Sequence, residues 1–174
     1  MRFPFLMKGD GGVQYPTLRP MTGIYLMHDN EMLLLHRHGS RIVDGLWVAS
    51  AGGHMKPQEI DSPAKGVLRE MREELGLSPD ALEGLTMRYI SLRSVGGEVR
   101  ENYYFFAHLR EKLPLTSNEG ELRWVPMENV LALEMPFSAK HMLAHYLHTG
   151  RHDRRLYAAV AEGDAVRFID MGQA

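Results

Sequence analysis

The chain has 174 residues and a mass of 19.8 kDa, enough to bury one core and too short for two comfortable ones. Apolar residues make up 44% and charged residues 24%, close to ordinary globular usage, which excludes disordered and fibrous classes. Lysine plus arginine number 20 against 22 acids, so bulk charge points away from nucleic acid, and the absence of cysteine excludes disulfides, thiolate chemistry and cysteine-based zinc sites. No apolar run approaches the ~20 residues needed to span a bilayer. The apolar patch Phe3 to Met7 is broken by Pro4, ended by Lys8 and too short for a signal peptide. These features predict a soluble, cytoplasmic protein without nucleic-acid or membrane partners, organised as one domain over residues 1–174.

Residues 1–20 carry Pro4, Gly11, Gly12, Pro16 and Pro20 without lasting periodicity and read as an irregular lead-in. Two apolar stretches, Met21 to His28 and Glu31 to His36, flank Asp29-Asn30 and predict a hairpin. Gly45 to Ala51 reads as a short strand running into Gly52-Gly53. After a turn-rich stretch, Ser62-Pro63 reads as cap and first residue of a helix from Pro63 to Leu75. Its apolar stripe is Val67, Leu68, Met71 and Leu75, and Gly76 stops it. Strands from Thr86 to Val95 and from Val99 to Leu109 are joined at Gly96-Gly97. A loop from Pro114 to Gly120 precedes a strand at Leu122 to Val125, then a second amphipathic helix from Phe137 to Leu147. Leu156 to Val160 and Val166 to Ile169 flank Gly163-Asp164 in a terminal hairpin, spanning about 154–170. Because isolated hairpins are marginal in water, it should join the main sheet or a second subunit. The order β-β-β-α-β-β-β-α-β-β predicts an α/β (α+β) fold with helices against a mixed sheet.

On the first helix, Glu70, Glu73 and Glu74 at i, i+3 and i+4 converge on one patch. With Arg69 and Arg72 beside them they form either a solvated, internally paired face or a site for a hard cation, since carboxylate oxygens suit magnesium. Residues 69–77, Arg-Glu-Met-Arg-Glu-Glu-Leu-Gly-Leu, match the run R-E-U-x-E-E-x-G-U, with U apolar, at all seven specified positions. That run is the second half of the signature of the Nudix hydrolases, and upstream Gly52-Gly53-His54-Met55 resembles its glycine-rich entry. The chain therefore resembles that family. The two halves are out of step by two residues, consistent with an insertion between Gly53 and Asp61. Either Glu59 or Asp61 then fills the first acidic position, which in the family supports the loop-helix geometry.

The resemblance implies a Nudix-type α/β/α sandwich with a mixed central β-sheet. It also implies hydrolysis of a diphosphate linked to a nucleoside, by water attack at phosphorus, with Mg2+ or alternatively Mn2+ as cofactor. Glu70, Glu73 and Glu74 would hold the metal with a backbone carbonyl near Gly53, and Arg69 would orient the glutamates. The further catalytic carboxylate that the family draws from a late loop would be Glu119, or failing it Glu121. Gly52, Gly53, His36 and Arg37 are the candidate substrate contacts, with His38 on the same side of the strand as His36 and Arg41 nearby.

Other residues have plainer readings. His141, His145 and His148 share one helix face, with His152 beyond, but no acid completes a zinc site there. Trp47 and Trp124 read as core or pocket wall, Tyr103 to Phe106 alternate across a strand, and most of the 12 methionines read as core filler. Downstream of the signature the tags of ADP-ribose, dinucleoside-polyphosphate and NADH cleavers are absent. The preferred reading is thus a MutT-like cleaver of a nucleoside triphosphate, normal or oxidised, to monophosphate and pyrophosphate, with a homodimer open. The alternatives are an ADP-ribose or nucleotide-sugar diphosphatase and a non-hydrolytic nucleotide-binding module. An isomerase of the isopentenyl-diphosphate type, on the same fold, would require a cysteine.

Overall fold

The computed structural model describes residues 15–40 and 43–173, so most of the lead-in, and Arg41, lie outside the described residues. The strands are β1 (Thr17–His28), β2 (Glu31–Arg37), β3 (Trp47–Val48), β4 (Ala51–His54), β5 (Leu82–Val95), β6 (Glu98–Leu109), β7 (Gly120–Pro126), β8 (Arg155–Glu162) and β9 (Ala165–Gln173). The helices are α1 (Pro63–Leu75) and α2 (Phe137–His148). The nine strands among the described residues form one mixed sheet in the order β3-β2-β1-β6-β5-β8-β9, with β4 added to β1 and β7 to β2. Strand pairs β1/β6 and β5/β8 are parallel and the others antiparallel.

Both faces of the sheet are covered. One core holds Ile24, Leu26 and Phe105 beneath Val67, Met71 and Leu75 of α1. The other holds Tyr25, Tyr89 and Phe106 beneath Met142, Leu143 and Tyr146 of α2. The central strand β1 is consequently buried without interruption from Thr22 to Met27, as expected of a strand with a helix on each side. The architecture is the expected α/β/α sandwich. Tyr104 and Phe106 turn to the α2 side and Phe105 to the α1 side, the alternation read from the sequence.

Three local readings are corrected. The end of the lead-in is strand from Thr17, because Thr17 to Met27 pair in parallel with Glu98 to His108, a non-local contact that outweighs Pro20. The stretch Gly45 to Ala51 is not one strand: β3 pairs with β2, and β4 pairs with β1. The break falls at buried Ser50, whose Oγ donates to the Leu33 carbonyl and accepts from the Leu26 amide, tying β2 to β1. Ser62 stands at the N-cap of α1 but its hydroxyl makes no capping bond; Gly76, at φ 67°, does close the helix by donating to the Arg72 carbonyl.

The terminal hairpin extends the sheet of its own chain, Tyr89 to Leu92 of β5 lying beside Tyr157 to Val160 of β8. Tyr157 stacks on Tyr89 with ring centroids 5.6 Å apart, and Phe168 stacks on His145 at 4.1 Å. Deleting everything after Gly150 would uncover this aromatic layer and should lower the melting temperature by roughly 10 °C or more. An unchanged melting curve for the truncated protein would show that the hairpin packs on nothing of consequence. Among the described residues no helix is long and apolar enough to cross a membrane.

Candidate functional site

The glutamate helix α1 lies over β4 and the neighbouring part of β1, and this places its acids against the glycine turn. Gly52 has no room for a side chain: a Cβ there would stand 2.3 Å from the Thr22 carbonyl oxygen. At Gly53 a Cβ would meet Glu70 Oε1 at 2.6 Å. The two glycines thus let β4 approach β1 on one side and receive the α1 carboxylates on the other.

Arg69 organises the acids. Its Nε donates to Glu59 Oε1 at 2.7 Å and one terminal nitrogen to Glu59 Oε2 at 2.9 Å, a two-pronged pair. The other terminal nitrogen reaches Glu70 Oε1 and Glu73 Oε2, each at 2.8 Å, and the His54 carbonyl accepts from Arg69 at 3.1 Å. Glu59 is buried, and the hydrogen bonds from Arg69 hold its carboxyl at about 2, against the opposing effect of burial. Asp61 is exposed. Glu59 therefore occupies the supporting position beside the helix, and the two extra residues fall after it, in the turn at Ile60 and Asp61.

The three helix glutamates are not equivalent. Glu73 is open to solvent and held by Arg69 and by Lys56 Nζ at 3.4 Å, with Arg69 drawing its pKa below the ordinary carboxylate value. Glu70 is largely covered and tied to Arg69. Glu74 turns away from the open face toward β4, where it accepts from the Gly52 amide at 3.0 Å. Burial pushes its carboxyl up to about 8, outweighing the Gly52 amide, with the charge and hydrogen bond of Glu119 and the charge of Glu70 acting in the same direction. Glu119 sits in the loop before β7 and also pairs with Arg37 at 2.5 Å. Glu121 points outward and bonds Arg123.

Glu74 and the glycine turn border a cavity of about 290 Å³. Gly52, Gly53, Glu74 and Arg37 line it, as do Tyr104 and Asn102 of β6. His36 does not: with side chains alternating along β2, it lies on the face opposite Arg37, its ring tilted against Trp47 at 4.8 Å between centroids. The helix histidines are likewise used locally, His145 meeting the Tyr89 hydroxyl and His141 and His148 meeting backbone carbonyls. Sequence reasoning missed Arg19, Arg93 and Arg100, which line the cavity as well.

Among the described residues no three acidic or histidine side chains already converge as a metal cage. The chemistry of the set nevertheless fits a hard divalent cation: every donor is oxygen, and Glu74 and Glu119 bring two carboxyl groups into contact at a place where a cation would favour the ionised form of both.

A family model described as the NUDIX domain matches residues 17–146. Among solved structures, the chain is similar to the mutator MutT protein from Bacillus halodurans, at 24% identity over 88% of this chain and 97% of that one, with a TM-score of 0.61. It is similar also to the MutT protein from Methanosarcina mazei Go1, at 21% identity over 81% and 100% of the two chains, with a TM-score of 0.63. A binary complex of the C. elegans Ap4A hydrolase shares 17% identity over 78% and 99%, with a TM-score of 0.62. At these identities the likeness is one of fold. No curated protein matches the chain.

Proposed function

The chain belongs to the NUDIX domain family of hydrolases, and from that premise we propose that it is a magnesium-dependent diphosphohydrolase acting on a nucleoside triphosphate. The observation that carries this reading is the meeting of Glu70 and Glu74 with the Gly52-Gly53 turn at the end of a cavity lined by arginines. Glu70, Glu73 and Glu74 are assigned to the cation, with Mn2+ able to substitute. A bound divalent ion would neutralise the diphosphate and raise the nucleophilicity of water.

The protein's own groups do the remaining work. Arg69 positions the glutamates and does not itself line the cavity. Arg37, which lines the cavity and pairs with Glu119, would hold a phosphate oxygen. Glu119, hydrogen-bonded to Glu74, is the carboxylate proposed to take the proton of the attacking water. Attack on phosphorus forms one P–O bond as the bond to the departing pyrophosphate breaks, leaving the nucleoside monophosphate.

A panel of nucleoside triphosphates, ADP-ribose and nucleotide sugars with magnesium tests the assignment, scored for pyrophosphate against phosphate. Release of pyrophosphate from a triphosphate, abolished by EDTA, is expected. Turnover confined to ADP-ribose or sugar nucleotides would replace the substrate class, and binding without turnover of any compound would make the protein a nucleotide-binding module.

A further inference from the structure

Arg19, Arg100 and Arg93 stand side by side on three adjacent strands: β1 pairs Arg19 with Arg100 of β6, and β6 pairs Arg100 with Arg93 of β5. Directly paired residues share a face of the sheet and lie ~5 Å apart, so three guanidinium groups form a row across the cavity floor. Like charges placed directly opposite one another destabilise a sheet unless something between them compensates.

The compensation present is partial and sits at the two ends of the row. Arg19 reaches Glu98 at 3.4 Å and donates to His54 Nε2 at 2.6 Å, and Arg93 lies over the Phe137 ring at 4.6 Å. The middle member has neither. Arg100 makes no ion pair or side-chain hydrogen bond among the described residues, and its Nε is buried without a partner. A buried, unsatisfied guanidinium nitrogen flanked by two further cations is a costly arrangement for a protein alone, and an anion would satisfy it.

The row starts beside the glutamate end, where Arg19 bonds His54, and runs away from it across the sheet. Arg19 lies three residues along β1 from Thr22, the partner of Gly53, which is ~10 Å of extended strand, and Arg93 lies two strands further across. Both ends open onto the same cavity. We propose that the Arg19–Arg100–Arg93 row binds a second phosphate of the substrate, one that is not part of the diphosphate held at the glutamate end. This deepens the diphosphohydrolase reading and rests on it for the identity of the ligand at the other end. A phosphate monoester on the ribose and the far end of a longer phosphate chain share this chemistry.

Calorimetric binding in EDTA, where turnover is absent, separates the two sources and holds whether or not any probe is later hydrolysed. One series compares ADP-ribose with its 2′-phosphorylated form, and the other compares ADP, ATP and adenosine tetraphosphate. In one series the added phosphate should tighten binding by about ten- to a hundredfold, the scale of one or two charge-assisted hydrogen bonds. Arg100→Met should remove that gain, bringing the affinity ratio within the responding series to within about twofold of one. Its melting temperature should equal or exceed that of the wild type, since one of three neighbouring like charges is gone; Arg93→Met repeats the test should Arg100→Met not fold. Equal affinities throughout both series, or a gain that survives both variants, would overturn the proposal. Failure of magnesium-dependent hydrolysis alongside a retained, Arg100-dependent gain would instead discard the hydrolase reading.

Discussion

Glu74→Gln is expected to lower turnover by a factor on the order of 100 or more, the scale of a few kcal/mol of transition-state stabilisation. The exchange keeps size and helix propensity, and a glutamine oxygen can still accept from the Gly52 amide that now bonds the carboxylate at 3.0 Å. What it removes is the carboxyl that could release its proton and give a negative oxygen to a bound cation beside Glu70 and Glu119. In EDTA the variant should therefore melt no lower than the wild type, because the fold gives up a crowded buried carboxyl and no apolar contact. Arg151→Ala, on the exposed turn after α2, should leave rate and stability nearly untouched. A Glu74→Gln protein that folds, binds magnesium normally and hydrolyses near the wild-type rate would remove Glu74 from the metal site, and the helix would then be merely charged.

Removing the carboxylate of Glu59 should cost stability. Glu59→Ala leaves Arg69 with two carboxylate partners in place of three and strips its two-pronged bond, a loss of about 3 kcal/mol for a buried pair, equivalent to roughly 10 °C in this size class. Asp61→Ala should shift the melting temperature by no more than about 2 °C. The Glu59 pair also makes stability depend on pH, because Arg69 depresses the folded pKa of Glu59 from 4.5 to about 2. Its contribution is therefore fully present above about 4.5 and is lost as pH falls toward 2, so wild type and Glu59→Ala should converge in stability on acidification. Parallel curves down to pH 2, or a larger loss for Asp61→Ala than for Glu59→Ala, would return the first acidic position to Asp61.

Several features are legible in the sequence alone because they depend on neighbours along the chain. Proline at the start of α1, glycine at its end and four apolar residues at helical spacing are local signals, and the helix spans Pro63–Leu75 as read. The hairpin of β5 and β6 follows from Gly96-Gly97, whose φ values of 58° and 81° suit a two-residue turn that side chains disfavour. That turn by itself sets Arg93 opposite Arg100. The acidic run and the glycine pair are likewise visible as a motif, together with the chemistry their oxygen donors favour.

The rest is decided by contacts between residues distant in the chain. Whether Glu59 or Asp61 supports the helix turns on which one reaches Arg69 and is buried, a matter of loop path and not of counting. Spacing makes Glu70, Glu73 and Glu74 look alike; the packing of α1 on β4 turns Glu74 inward to the Gly52 amide and leaves Glu73 in solvent. The direction of β1 beside β6 is non-local as well, and only that parallel register brings Arg19 to Arg100 and completes a row of three. A sequence determines period and turn chemistry residue by residue, whereas burial and charge proximity arise only when the sheet order is in place, because both are set by partners that the chain delivers from elsewhere.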